Sequence, residues 1–346
     1  MLLSRGGQPP LPCPSVATIG FFDGVHRGHC YLIDQVKAAA GQRGLASTVV
    51  TFPLHPRRVM QASFQPRLLL GREEKVERLA LTGVDHCLML DFTPQLAQLT
   101  AREFMMLLRD RHQVRAMVIG HDHRFGHNRL EGLADYIHHG QTLGLEVIPA
   151  LPLTIAEATT IGHPLDTPTA ASQPHASRPT TEPTTCRPAT VADSQATVSS
   201  SLIRRLLEAG DVATAARYLG YNYFLQGAVV SGHHVGRTLG YPTANLEVNG
   251  ADRVIPADGV YAVSVRIDEQ VYGGMMNIGH RPTLDNGADR SLEVHVFGLH
   301  ADLYRHAMRV SFIAQLRPEH RFDSLEELAA QLSEDERRAK QVLGLA

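Results

Sequence analysis

Gly20-Phe21-Phe22-Asp23-Gly24-Val25-His26-Arg27-Gly28-His29 stands between two kinds of periodicity. Before it runs a short apolar segment, Val16-Ala17-Thr18-Ile19; after it Leu32, Ile33, Val36, Ala39 and Ala40 recur at helical spacing. A strand, a glycine-bearing turn and a helix start in that order make an anion-binding device, because backbone N–H groups and the helix dipole converge on the turn. Gly28 lets a ligand approach the backbone closely. The spacing of His26 and His29 lets both imidazoles face one pocket, where they would donate hydrogen bonds to charge growing at an α-phosphorus under attack. The competing reading of so short a motif is a turn that happens to carry two surface histidines.

The same alternation continues outward to Pro149. Strands are expected at 46–52, 87–90, 116–120 and 145–148, and helices at 73–81 and 101–111, the second opened by a Thr100/Glu103 capping box. Short apolar runs separated by helices imply a parallel sheet covered on both faces. Ligands bind at the carboxyl ends of such strands, so the loops that start at Gly20, Pro53 and Gly120 should gather along one edge.

The remaining composition narrows the function classes. At 346 residues the chain has room for two domains. A net charge of −2 provides no basic field for nucleic acid. The only lysines are Lys37, Lys75 and Lys340, and none stands in a Walker P-loop. Cys13, Cys30, Cys87 and Cys186 are scattered, which fits neither a zinc ribbon nor a disulfide framework and suits a reducing cytoplasm. The N-terminus breaks into glycine and proline before a signal core forms, and no run approaches the ~18 apolar residues of a membrane span. A cytoplasmic protein without membrane or nucleic-acid partners is expected.

From about 154 to 197 Ser, Thr, Ala and Pro dominate, and no core can be built; a mobile, tolerated insertion is expected there. Ser199-Ser200-Ser201 then caps an amphipathic helix with Gly210 just past its end, and a second helix covers 212–219. Beyond Tyr221, β segments at 223–230, 259–267, 271–278, 291–297 and 308–314 predict a closed antiparallel barrel. A helix capped by Ser324 and Glu327 follows.

Further motifs carry chemistry. Thr51-Phe52-Pro53-Leu54-His55-Pro56 is a strand exit stiffened by proline. Gly120-His121-Asp122-His123-Arg124-Phe125-Gly126-His127-Asn128-Arg129-Leu130-Glu131-Gly132 offers a carboxylate, an aromatic ring and an arginine; its histidines read as solvated or substrate-facing rather than as metal ligands. In Ser199-Ser200-Ser201-x-x-Arg204, hydroxyls at a helix start with an arginine one turn on suit a polyphosphate. Gly240-Tyr241-Pro242-Thr243-Ala244-Asn245 combines a turn with hard oxygens, and Leu292-Glu293-Val294-His295-Val296 puts Glu293 and His295 on one strand face.

These motifs, in this order, resemble those of the prokaryotic bifunctional riboflavin kinase/FAD synthetase family over nearly the whole chain apart from the insertion. The resemblance implies a Rossmann-like α/β nucleotidyltransferase domain over 1–220, followed over 221–346 by an antiparallel β-barrel kinase domain with a C-terminal helix. In the first domain it implies ATP binding by Gly20, Phe21, Asp23, Gly24, His26, Gly28, His29, Ser200, Ser201 and Arg204, with FMN at His55, Pro56, Asp122, Phe125 and Arg129. His26, His29 and Arg204 would carry adenylyl transfer. In the second domain it implies ATP binding by Gly232, Gly236, Arg237, Gly240, Pro242, Thr243 and Asn245. Thr243 and Asn245 would hold Mg²⁺, Glu293 would be the base, and Glu293 and Arg317 would meet the flavin. Asn277–Thr283 and the Arg317-Pro318-Glu319-x-x-Phe322 segment resemble family wall and lid segments. The chain departs from the family, which commonly has Asn at Phe21, Pro at Leu54 and Phe at His123. The implied partners are riboflavin, FMN and ATP. The alternatives are a kinase with an impaired adenylyltransferase domain and a flavin-binding protein without turnover.

Overall fold

The computed structural model of the chain describes residues 1–5, 11–60, 66–120, 123–127, 130–160, 197–230, 240–250, 252–280, 290–299, 301 and 303–345. Among them, 1–160 with 197–200 make one compact unit, and 201–345 make a second.

The first unit is built on a six-stranded sheet: β1 (Leu2–Arg5), β2 (Ser15–Ile19), β3 (Ala46–Thr51), β4 (His86–Met89), β5 (Val114–Ile119) and β6 (Glu146–Pro149). The strands run in the order β1-β4-β3-β2-β5-β6, and every pairing is parallel. All five residues of β2 are buried, as a strand covered on both faces requires. The helices are α1 (Arg27–Arg43), α2 (Pro56–Met60), α3 (Arg72–Leu81), α4 (Pro94–Ala97), α5 (Ala101–His112), α6 (Leu133–Leu143) and α7 (Ile155–Thr160). α1 buries Cys30, Ile33, Val36, Ala39 and Ala40 and stops at Gly44, which supplies the left-handed φ of 62°. The expected capping box opens α5: the Glu103 carboxylate accepts from the Thr100 N–H at 2.8 Å, and the Thr100 hydroxyl accepts from the Glu103 N–H.

Strand order decides where this unit can bind a ligand. From β2 the chain winds outward through β3 and β4 on one side, then crosses to β5 and β6 on the other. The β2/β5 crevice is therefore the topological switch point, and the loops that follow Ile19 and Ile119 flank it at the carboxyl ends of the strands.

In the second unit α8 (Ser200–Glu208, from its second residue) and α9 (Val212–Leu219) accompany six antiparallel strands. These are β7 (Phe224–Val230), β8 (Ala244–Val248), β9 (Gly259–Ile267), β10 (Gln270–His280), β11 (Arg290–Val296) and β12 (Ala307–Pro318), closed as a barrel in the order β10-β11-β8-β7-β12-β9. The terminal helix α10 (Leu325–Leu343) packs Leu332, Ala339 and Leu343 with Val260, Ala262, Met275 and Leu316 of the barrel. Ser324 caps it as expected, accepting from the Glu327 N–H at 3.1 Å, while the Glu327 carboxylate reaches back one residue further, to the Asp323 N–H.

The part of α8 from Ser201 and all of α9 pack with the barrel: the Leu207 carbonyl accepts from the Ala257 N–H at 3.0 Å. Two features differ from the sequence reading. The stretch from 154 is not structureless throughout. Thr154 and Glu157 exchange capping bonds that start α7, and a Thr154–Thr197 bridge ties the two sides of the insertion together. Residues 161–196 lie outside the described residues. The second feature is β1, which adds a strand where only a glycine- and proline-broken terminus was expected.

Candidate active sites

In the first unit the Gly20 N–H donates to the Val50 carbonyl at 3.0 Å, so the loop turns over the end of β3. Its backbone then takes an unfavourable path: φ is 55° at Phe22, 82° at Gly24 and 37° at Val25. Non-glycine residues in this region cost ~1–3 kcal/mol each and persist where the surroundings over-determine them. Here Phe22 and Val25 are buried. Asp23, also buried, accepts from the Leu69 N–H at 3.0 Å and the Leu70 N–H at 3.3 Å. Its carboxylate thus ties the loop to the segment that leads into α3. The Ser200 hydroxyl donates to the Asp23 carbonyl at 2.9 Å, bringing the far side of the insertion onto the same turn. Ser201 and Arg204 continue α8 in the second packing unit.

His26 caps α1. Its Nδ1 accepts from the His29 N–H at 3.4 Å, so the ring carries its proton on Nε2. The His29 ring stacks on it, with centroids 3.6 Å apart and planes at 18°. Gly28 permits this stack, since a Cβ there would stand 3.1 Å from the Val198 carbonyl oxygen and 3.3 Å from the His26 ring. Two positive charges ~4 Å apart repel by about 4 kcal/mol at an effective dielectric of ~20, so both rings cannot be charged together. Burial, then the charges of His26 and Lys75, hold the His29 pKa well below the usual histidine value. The loop therefore presents a neutral His29 imidazole stacked on His26 at a helix N-terminus.

The second stretch packs beside it. The His55 Nδ1 accepts from the Arg57 N–H at 3.2 Å, and Pro56 begins α2 at a position where a missing N–H costs nothing. Phe21 meets His55 edge-on, with ring centroids 4.8 Å apart. In the third stretch Phe125 is 8% exposed and stacks at 4.1 Å on Tyr136, which is fully buried. The Tyr136 hydroxyl accepts from the Phe125 N–H at 3.0 Å and donates to the Glu131 carbonyl, so it anchors the loop from both ends. Asp122, Arg129 and His121 lie outside the described residues. Tyr136 was not singled out from the sequence, where a tyrosine at helical spacing reads as core. Nor was Lys75, whose Nζ donates to the carbonyls of Phe52 and Phe21.

In the barrel, register brings the motifs together. Asn245 of β8 stands directly opposite Glu293 of β11, and the Thr243 hydroxyl lies 3.5 Å from the Glu293 carboxylate. Alternation points Leu292, Val294 and Val296 into the buried interior and leaves Glu293 and His295 partly exposed. The Pro242 carbonyl lies 2.8 Å from His295 Nδ1, which holds the turn after Gly240 against β11. A hydroxyl, an amide and a carboxylate converging on one face are the hard-oxygen donors that divalent cations prefer. Gly232, Gly236, Arg237 and the loop 281–283 lie outside the described residues.

Arg317 is engaged within the unit. Its Nε and Nη2 meet the fully buried Asp335 carboxylate of α10 at 2.9 and 2.8 Å, and the guanidinium lies 5.4 Å from the centre of the Phe322 ring. Asp258, His280 and Glu319 bring ligand atoms within 4.8 Å of one another. Asp258, however, is already paired with the Arg290 guanidinium at 2.7 Å, and its other oxygen lies 2.9 Å from His280 Nδ1.

With this geometry in place, the comparisons are specific. The FAD synthetase family model matches residues 8–161, and the riboflavin kinase model matches 219–343. The chain is 33% identical to the bifunctional riboflavin kinase/FMN adenylyltransferase of Listeria monocytogenes, covering 93% of this chain and 90% of that protein. It is 32% identical to the Escherichia coli K12 protein of the same name, covering 95% and 93%. Among solved structures, one described as a macrolide-efflux protein from Streptococcus pneumoniae matches with a TM-score of 0.80 and 29% identity over 98% of this chain and 99% of that one. Efflux belongs to that protein's description; among the described residues here, no helix is long and apolar enough to cross a membrane. Two family models in the expected order, and relatives matched over nearly their full length, lead to one assignment: the chain belongs to the bifunctional riboflavin kinase/FMN adenylyltransferase family.

Proposed function

We propose that the chain makes FMN from riboflavin at the barrel and FAD from FMN at the phosphate loop of the first unit, using ATP and Mg²⁺ in both steps. The observation that carries the reading is the convergence of Glu293 of β11, Asn245 of β8 and Thr243 just before it, in a chain that also carries the stacked histidines at a helix N-terminus.

For phosphorylation, the Glu293 carboxylate takes the proton of the ribityl 5′-hydroxyl as that oxygen attacks the γ-phosphorus of ATP; ADP leaves. Assistance of this kind contributes ~10²–10⁴-fold. Thr243 and Asn245 would hold the cation, which supplies charge neutralisation at the phosphate oxygens. The 3.5 Å separation of Thr243 and Glu293 keeps base and cation-binding oxygens within one substrate's reach.

For adenylylation, a phosphate oxygen of FMN attacks the α-phosphorus of ATP and pyrophosphate leaves. The nucleophile is already an anion, so no base is needed, and positioning with charge stabilisation carries the rate. His26 offers its Nε2–H to the phosphate oxygens. His29, neutral beforehand, gains proton affinity when the triphosphate's negative charge arrives. The resemblance assigns Arg204 to the leaving pyrophosphate, and His55, Pro56 and Phe125 to the FMN side.

Incubation with riboflavin, ATP and Mg²⁺, followed by chromatography of the flavins, tests the reading. FMN should appear first and FAD after it. FMN accumulating without FAD would leave only a kinase, and unchanged riboflavin would remove both activities.

A further inference from the structure

Lys75 belongs to none of the motifs, yet it joins two of them. It stands on α3 and is 3% exposed. Its Nζ donates to the Phe52 carbonyl at 2.7 Å and to the Phe21 carbonyl at 3.1 Å. Phe52 opens the Pro53–Pro56 loop, and Phe21 opens the phosphate loop. The ammonium also lies 3.9 Å from the centre of the Phe21 ring, and the same ring meets His55 edge-on. Two carbonyls and one π face thus surround the ammonium.

This arrangement is costly. Burial drives the Lys75 proton off, the nearby charge of Asp23 and the Cys87 thiol favour keeping it, and Arg72 opposes; the result is a pKa of about 8. His29 also titrates near it, and the ammonium lowers the proton affinity of His29 in turn; His55 meets the far side of the contact through the Phe21 ring. A packed apolar side chain would fill such a site without the desolvation cost. The contacts to both loops indicate what the charge does.

We propose that Lys75 is a positioning residue for adenylyl transfer: its ammonium clamps the Phe21 and Phe52 carbonyls and, through the Phe21 ring, His55, so that the ATP-side loop and the FMN-side loop keep one mutual geometry. The inference rests on the adenylyl-transfer reading. It extends that site to a residue that acts through others.

The full-length chain tests it, because FMN formation at the barrel reports on folding and active concentration in the same tube. Lys75→Met should lower FAD formation from supplied FMN about 10- to 100-fold, mainly in kcat, as a misplaced near-attack geometry does, and leave FMN formation unchanged. The wild-type rate of FAD formation should fall as pH rises through about 8, where Lys75 loses its proton. Lys75→Arg, whose guanidinium keeps its charge, should move that alkaline limb upward by more than ~1 pH unit. Phe21→Leu should also lower FAD formation, and the double variant Phe21→Leu/Lys75→Met should fall no further than Lys75→Met alone, because the two residues act as one unit. A Lys75→Met rate within about twofold of wild type, or an alkaline limb that Lys75→Arg leaves in place, overturns the inference. If Lys75→Met melts the first unit, the Lys75→Arg profile decides. A wild-type chain that makes no FAD at any pH defeats the adenylyl-transfer reading itself, and the inference with it.

Discussion

The two halves of the molecule place their polar groups by opposite means. In the barrel, Asn245 and Glu293 face each other because two strands are in register, so the ladder that builds the fold also builds the site. In the first unit, the strands only bring loops to one edge. The groups themselves are held by ties from distant sequence: Asp23 to Leu69 and Leu70, Ser200 to Asp23, and Lys75 to Phe21 and Phe52. Positive φ values at Phe22 and Val25 show how far that loop is held from its preferred path. A strand-built site should fail by losing its chemistry. A loop-built site should fail in addition by losing its supports.

The largest effect should come from the barrel's own chemistry. Glu293→Gln keeps the side chain's size and the strand register, so FMN formation should fall ~10²–10⁴-fold while FAD formation from supplied FMN persists. A modest loss would mean that the carboxylate does not act as base. Next, His29→Ala should lower FAD formation by roughly 10²–10³-fold, the usual cost of one preorganised donor, with FMN formation intact.

Asp23→Ala sharpens the contrast, because Asp23 holds the loop through the Leu69 and Leu70 N–H groups. Removing a buried acceptor costs ~1–3 kcal/mol. FAD formation and the melting temperature of the first unit should therefore fall together, with no change at the barrel. The smallest effect is on pH dependence. Burial lowers the pKa values of His29, His86 and His112 in the first unit. The unfolded chain takes up protons at these histidines below about pH 6.5 while the folded unit resists, so stability is lost as pH falls through that value. Urea midpoints measured between pH 8 and 5 should fall, and His112→Gln should shallow that fall; a midpoint independent of pH would contradict the assignment.

Much of this was legible in the sequence, for local reasons. Thr100/Glu103 and Ser324/Glu327 announce helix starts within four residues, and the helices at 101–112 and 325–343 begin where they indicate. The all-buried β2 reads as an apolar run before its glycine. What escaped depends on long-range packing. β1 is four residues long and takes its meaning only from pairing with β4. β8 is hidden inside a motif that reads as a turn, and only its pairing with β11 makes Ala244–Val248 a strand. Phe125 read as a wall for the flavin, and its stacking on Tyr136 could not be foreseen from spacing. Lys75, in Glu-Glu-Lys on a helix, carries the pattern of a solvated face, yet it is almost fully buried.

The central claim is that one chain holds two independent sites, and mixing two variants tests it most directly. Glu293→Gln should make no FAD from riboflavin for want of FMN, and His29→Ala should stop at FMN. Combined in one tube with riboflavin, ATP and Mg²⁺, they should form FAD, because FMN released by one protein can be adenylylated by the other. A mixture that forms no FAD, although each variant is folded, would contradict the two-site account.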